Sequence, residues 1–196
     1  MCGIAGIITS DQSINKPVLE SMTGGLRHRG PDASGIYISP NRNVSLAHTR
    51  LSVIDLRPEA NQPFYSGNGR YVIVFNGEIY NFIALREELK KKYGISFRTN
   101  SDTEVLLEAF GMWGTKMAER LEGMFALAIA DQHENKLFLL RDRIGKKPLY
   151  YFHSPSLFVF ASEIKSLLKH PAVAREKKIN RKCINSFLHL GYIPEP

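Results

Sequence analysis

The chain has 196 residues, 43% hydrophobic and 23% charged, which is ordinary globular composition with enough apolar material for a sizeable core. Its net charge of +7 is concentrated in stretches such as "LKKKY" and "REKKINRK", which read as solvated helix faces and a basic tail, and no zinc spacing, aromatic RNA-binding signature or recognition-helix pattern accompanies them, so no nucleic-acid partner is expected. Cys2 and Cys183 are the only cysteines, no apolar run approaches a membrane span and no signal segment precedes Cys2, which together point to a cytoplasmic protein with neither a disulfide framework nor a membrane partner.

The first element, "MCGIAG", reads as a buried strand. Removal of Met1 ahead of the small Cys2 would leave that residue with both a thiol and a free α-amine. An α-amine has a pKa of about 7.7–8.0 and can act as a base near neutrality, and a terminal nucleophile served by its own amine is a known catalytic device. A small apolar residue in a core strand explains the same position. A short helix around 18–22 follows, breaks at Gly24-Gly25 and leads to a turn at Gly30, Pro31 and Asp32. "SGIYIS" and "VSLAHTRLSVI" alternate as strands do and are joined at Pro40 and Asn41. "EANQPFYSGNGR" reads as a loop with its tip at 66–69. "YVIVF" is a continuous apolar run, hence a strand covered on both faces, and it is expected to stop at Asn76-Gly77.

A helix is predicted over 82–93, with Phe82, Leu85, Leu89 and Tyr93 as its apolar stripe. Glu87/Lys91 and Glu88/Lys92 are its expected ion pairs, and Gly94 its end. Ser101-x-x-Glu104 has the form of a capping box for the next helix. "MFALAIADQHENKLFLLRD" predicts a hairpin, "LYYF" and "LFVFA" two further strands about Ser154-Pro155, and "SEIKSLLKH" another helix. Hairpin-connected strands with helices grouped between them indicate an α+β fold, with sheet packed on sheet and helices outside. Residues 1–170 are expected to form the domain, and 171–196 a basic helical segment opening a linker at Pro194 and Pro196. No repeats or low-complexity tracts occur, and a glycosylation-type triplet at Asn43 has no meaning in a cytoplasmic chain.

A nucleophilic thiol needs an oxyanion stabiliser and a grip on its substrate. Asn76 offers a side-chain amide and Gly77 a backbone N–H, although an Asn-Gly turn accounts for the same pair. Arg50 suits a carboxylate, but also an ordinary surface ion pair. Asp102 in a first helical turn serves as a helix-end charge and does not thereby lose the capacity to bind an ammonium group. His28 and His48 have no companion ligands at sensible spacing, so structural roles are expected and no metal is assigned.

In order along the chain, "MCGIAG", "RHRGPD", "HTRLSVID", "NQPF", "NGEIYN", "SDTEVLLEAF", "RDRIGKKPLYY" and "ASEIKSLL" resemble the class II glutamine amidotransferase domain of glutamine-hydrolysing asparagine synthetases. The match runs from Cys2 to about Leu168, and the "RHRGPD" and "GEIYN" forms favour that branch over glucosamine-6-phosphate synthase. The resemblance implies the N-terminal-nucleophile hydrolase fold, a four-layer αββα sandwich of two antiparallel sheets. It implies Cys2 as nucleophile, assisted by its α-amine, and Asn76 with Gly77 as the oxyanion hole. It places glutamine on Arg50, on Glu78 and Asp102 about the amino group, and on the backbone of Leu51, Ser52, Val53 and Ile54. It further implies a synthetase domain in cis that uses ATP and magnesium to amidate aspartate, and a homodimer in the full-length form. The Ser-Gly-Gly-x-Asp-Ser phosphate loop of that domain is missing here, so this chain is expected to need no cofactor. A glutamine-binding module without turnover, or a related amidotransferase with another acceptor, are the alternative readings. An excised domain is expected over a stand-alone glutaminase.

Overall fold

A computed structural model describes residues 1–193; the expected linker residues Pro194 and Pro196 lie outside the described residues. In chain order the elements are β1 (Gly3–Thr9), α1 (Lys16–Gly24), β2 (Ala33–Ile38), β3 (Val44–Arg50), β4 (Phe64–Tyr65), β5 (Tyr71–Ile79), α2 (Phe82–Tyr93) and α3 (Asp102–Trp113). They continue with β6 (Gly123–Asp131), β7 (Lys136–Arg141), β8 (Tyr150–Ser154), β9 (Leu157–Ala161), α4 (Ile164–Leu167), α5 (Pro171–Arg175) and α6 (Arg181–Leu190). The strands form two antiparallel sheets, β2-β3-β1-β9-β8 and β4-β5-β6-β7.

Strand alternation explains how continuous apolar runs fill this architecture. In β5, Val72 and Val74 face the other sheet and meet Ile4, Leu46 and Phe160, while Ile73 and Phe75 point the opposite way against Leu106 and Phe110 of α3. In β1, Ile4 joins the layer between the sheets, whereas Ala5 and Ile7 pack on Leu19 and Met22 of α1. Helices therefore cover both outer faces, and the molecule is the α+β sandwich with two antiparallel sheets at its centre. Val173 of α5 still packs in the outer cluster with Leu167, and beyond it no described residue is buried.

The helix ends follow their sequences. Asn15 caps α1 through the Val18 N–H at 3.4 Å, and Gly94 closes α2 with φ of 69° in the left-handed region that favours glycine. Ser101 caps α3 through the Glu104 N–H at 3.3 Å. The reciprocal half of the expected capping box is redirected: the Glu104 carboxylate accepts instead from the backbone N–H groups of Thr99 at 2.7 Å and Arg98 at 3.0 Å. The expected pairs on α2 are replaced as well. Glu87 takes Lys90 at 2.9 Å, and Glu88 reaches across to Arg120 at 2.6 Å.

Two strand boundaries differ from the sequence reading, and both differences build a cavity. The strand expected through residue 54 ends at Arg50, because the next backbone donors leave the sheet: Leu51 N–H points to Cys2 Sγ at 3.4 Å and Ser52 N–H to Asp32 Oδ2 at 2.8 Å. The strand expected to stop at Asn76-Gly77 continues to Ile79, paired with β6 throughout. The segment read as a plain loop also contains a single 3-10 turn at Pro58–Ala60 and the two-residue β4. The helix expected after β9 is only one turn long before the chain bends into α5.

Candidate active site

At the head of β1 lies a cavity of about 220 Å³, lined by Cys2, Arg50, Asn76, Gly77, Glu78 and Asp102 together with Leu51, Val53 and Ile54. These residues, drawn from four separate stretches of sequence, thus meet at one place. Ser52 alone of the expected site residues does not line it; its backbone N–H is spent on Asp32, which fixes the course of the loop.

Cys2 sits just ahead of the first sheet pair, Gly3 with Thr49. Its thiol contacts both backbone groups of Leu51, the N–H at 3.4 Å and the carbonyl oxygen at 3.6 Å. Burial pushes the thiol pKa up, opposed in part by the Leu51 N–H and by the nearby positive charge of Arg50. Met1 lines the same cavity and Cys2 is amide-linked to it, so trimming Met1 would both free the α-amine and open the space beside the thiol.

The edge of β5 forms another part of the cavity lining. Asn76 is 1% exposed, and its side-chain Nδ2 is buried without a hydrogen-bond partner. A buried amide donor left unmade costs about 1–3 kcal/mol, so such a group calls for an explanation. Phe75 and Ile79 direct their N–H groups away from β6, to Gln62 Oε1 at 2.6 Å and Asp102 Oδ2 at 3.2 Å. Alternation sends the Gly77 N–H the same way, into the cavity between those two acceptors. Glycine is required there for close approach, not for a turn: a Cβ at Gly77 would lie 2.3 Å from the Met124 carbonyl oxygen.

Arg50 is 6% exposed, and its two Nη nitrogens are committed to the loop that follows β3. Nη1 donates to Arg57 O at 3.0 Å and to Asn61 Oδ1 at 2.6 Å, and Nη2 donates to Ile54 O at 3.4 Å and to Asp55 O. The guanidinium therefore shapes the loop wall and leaves Nε outside that set. Asp102, in the first turn of α3, is pushed up to a pKa of about 6 by burial, against the Ile79 N–H, with the Glu78 charge adding to the rise. A buried carboxyl in a cavity with its pKa raised toward neutrality is a candidate functional group, and a cation bound beside it would favour its ionised form.

The two histidines have structural surroundings. His48 is fully buried with Nε2 3.1 Å from Phe75 O, and burial depresses its pKa to about 3. His28 contacts Glu163 at 2.9 Å. Among the described residues no group of three or more His, Cys, Asp or Glu could hold a metal ion, and no helix is long and apolar enough to cross a membrane.

Several cavity residues escaped the sequence reading. Gln62 joins the two walls, accepting from Phe75 N–H at 2.6 Å and donating to Thr103 Oγ1 at 3.1 Å; it lies in the quoted "NQPF" but carried no assigned role. Lys147 is 7% exposed, lines the cavity and makes no ion pair among the described residues; nothing in its local sequence signals that position.

The two stacked antiparallel sheets with helices on their outer faces form the N-terminal-nucleophile hydrolase fold. The glutamine amidotransferase domain family matches residues 1–196, and the chain belongs to that family. A putative glutamine-hydrolysing asparagine synthetase 2 of Methanocaldococcus jannaschii is 34% identical over 212 residues, covering 100% of this chain and 40% of the relative. The glutamine-hydrolysing asparagine synthetase 3 of Bacillus subtilis is 38% identical over 196 residues, covering 97% and 31%. This chain therefore spans well under half the length of these relatives. Among solved structures, the allosteric regulatory enzyme of purine biosynthesis superposes with a TM-score of 0.72 at 21% identity, over 86% of this chain and 43% of that one. The glutamine phosphoribosylpyrophosphate amidotransferase of B. subtilis gives 0.65 at 23%, over 85% and 43%. At that identity the likeness concerns the fold.

Proposed function

We propose that the chain hydrolyses the side-chain amide of glutamine, with Cys2 as nucleophile, and that the ammonia released serves the amidation of aspartate by an ATP- and magnesium-dependent synthetase domain of the same protein. The observation that carries the reading is the buried, partnerless Asn76 Nδ2 beside the inward Gly77 N–H, across the cavity from a thiol. Two such donors await an oxygen that becomes negative only during reaction.

Because burial favours the protonated thiol, attack requires a base. Once Met1 is removed, the Cys2 α-amine takes the Sγ proton as sulfur bonds to the amide carbon, and the carbonyl oxygen develops its charge against Asn76 Nδ2 and Gly77 N–H. The amine returns the proton to the departing nitrogen, the C–N bond breaks, and ammonia leaves a thioester. Water, deprotonated by the same amine, attacks the thioester; the C–S bond breaks, giving glutamate and the free thiol. Free glutamine is a zwitterion. Asp102 and Glu78 supply the anionic side of its grip, and the Arg50 charge with the loop backbone at 51–54 supplies the cationic side, Arg50 acting through Nε and through the loop it holds.

Asparagine as the final product draws support from the names of the relatives and from motifs shared in order. A cytoplasmic setting fits a catalytic thiol and two unpaired cysteines; a homodimer has the family resemblance alone behind it. A chain that retains Met1 has no free amine at Cys2 and would bind glutamine without turnover, because Met1 occupies the base's position. Glutamate release by protein whose intact mass begins at Cys2, and its loss in Cys2→Ala with glutamine binding retained, is the expected result. Appreciable hydrolysis by Cys2→Ala would refute the assignment.

A further inference from the structure

Cys2 has little to hold it. The sheet register starts one residue later, at Gly3, and a terminal residue outside a ladder frays unless something ties it down. One side chain does so from below: Arg29 Nε donates to the Cys2 carbonyl oxygen at 2.9 Å. The same guanidinium donates through Nη1 to Glu163 Oε1 at 2.9 Å, and its side chain is only 8% exposed. Glu163 also receives His28 Nε2 at 2.9 Å and Lys165 Nζ at 3.1 Å. Burial pulls the Glu163 pKa up, but the hydrogen bonds from Arg29, Lys165 and His28 outweigh it and bring it to about 2, so the carboxylate stays charged.

Glu163 is itself anchored to β1. The preceding residue, Ser162, exchanges hydrogen bonds with Ile4, its Oγ accepting from Ile4 N–H at 2.9 Å and its own N–H reaching Ile4 O at 2.9 Å. Ser166 Oγ donates to Met22 O at 2.9 Å, tying α4 to the end of α1. The junction of β9 and α4 thus grips β1 at Ile4 directly and at Cys2 through Arg29. Neither Arg29 nor Glu163 lines the cavity, so neither can touch a substrate there.

We infer that Glu163 is a positioning residue for the nucleophile, holding the Arg29 guanidinium that fixes the Cys2 carbonyl and so aims the thiol across the cavity at Asn76 and Gly77. This rests on Cys2 being the nucleophile. A surface ion pair contributes little and its loss changes no rate; a relay to the reacting residue acts on kcat, because misplacement by about 1 Å can cost about 10²-fold.

The test uses protein that begins at Cys2 and follows glutamate release and thermal melting. Glu163→Gln is expected to lower kcat about 10–10²-fold with KM for glutamine within about twofold of the parent, since the groups that grip the substrate are untouched. Glu163→Asp, which keeps the charge, recovers part of the loss. Arg29→Ala lowers kcat in the same way, and adding Glu163→Gln to it costs nothing further. Lys165→Ala, which removes a partner of Glu163 remote from Cys2, leaves kcat unchanged. Should Glu163→Gln fail to melt cooperatively, Arg29→Lys carries the test, because one ammonium cannot bridge the carbonyl and the carboxylate, and the same loss of kcat is expected. An unchanged kcat in a folded Glu163→Gln, a change confined to KM, or additive losses with Arg29→Ala would overturn the inference. Activity surviving in Cys2→Ala is a different result, and it would overturn the nucleophile assignment instead.

Discussion

Asn76→Ala separates a catalytic amide from a structural one. The Asn76 side chain is buried, and its Nδ2 finds no acceptor in the resting protein. Leaving such a donor unmade costs the folded state about 1–3 kcal/mol. Truncation removes that cost, and the space created adjoins an existing cavity that water can enter, so little packing is lost. The variant should therefore be as stable as the parent or more so, by about 1 kcal/mol, which for a chain of this size is a rise of about 2–4 °C in Tm. Over the same substitution kcat for glutamine hydrolysis should fall about 10²–10³-fold, the usual effect of deleting one oxyanion donor, with KM little changed. Circular-dichroism melting and steady-state glutamate release on the same preparation give both numbers. A Tm lowered by several degrees would show that the amide has a partner in the resting state, and a loss confined to KM would show that it binds the ground state. Either result refutes the reasoning.

If Asp102, raised to about 6 by burial, receives the glutamine ammonium group as proposed, it must be ionised to do so, and the free protein should lose affinity as pH falls through that value. The terminal amine, at about 7.7–8.0, must also be unprotonated. The logarithm of kcat/KM should therefore fall with slope one below about pH 7.7 and slope two below about pH 6; Asp102→Asn, much weaker overall, should keep slope one throughout. A second limb that persists in Asp102→Asn would assign it elsewhere. Arg50→Ala removes four hydrogen bonds that hold residues 54–61 as well as the positive charge. KM for glutamine should rise about 10²-fold, the loop should become sensitive to limited proteolysis, and Arg50→Lys should not restore either property because lysine lacks the fork. An unchanged KM would remove Arg50 from the substrate grip.

Much of this molecule is legible in its one-dimensional pattern because local physics decides it. The runs "YVIVF", "FALAIA" and "LFVFA" must be covered on both faces, which already implies sheet on sheet with helices outside. Gly94 ends α2 because the left-handed turn there favours glycine, and Ser101 begins α3 because its hydroxyl can satisfy a free N–H. A thiol at position 2 and the order of the shared motifs likewise need no coordinates to be read. Other features depend on groups that come together only when distant segments pack. Leu51 and Val53 continue the apolar alternation of β3, yet they leave the sheet, since their side chains line a cavity and the backbone after Arg50 finds better partners in Cys2 and Asp32. Asn76-Gly77 has the composition of a turn but stays in a strand, because β6 pairs with it along its length and the glycine allows the Met124 carbonyl to approach. Glu87 and Glu88 ignore the lysines four residues on, as Lys90 and Arg120 offer closer geometry. The link from Glu163 through Arg29 to Cys2 spans 134 residues in its first step, and no periodicity or spacing encodes it. A hydrogen bond's partner is set by position in space, and only the folded chain brings those positions together.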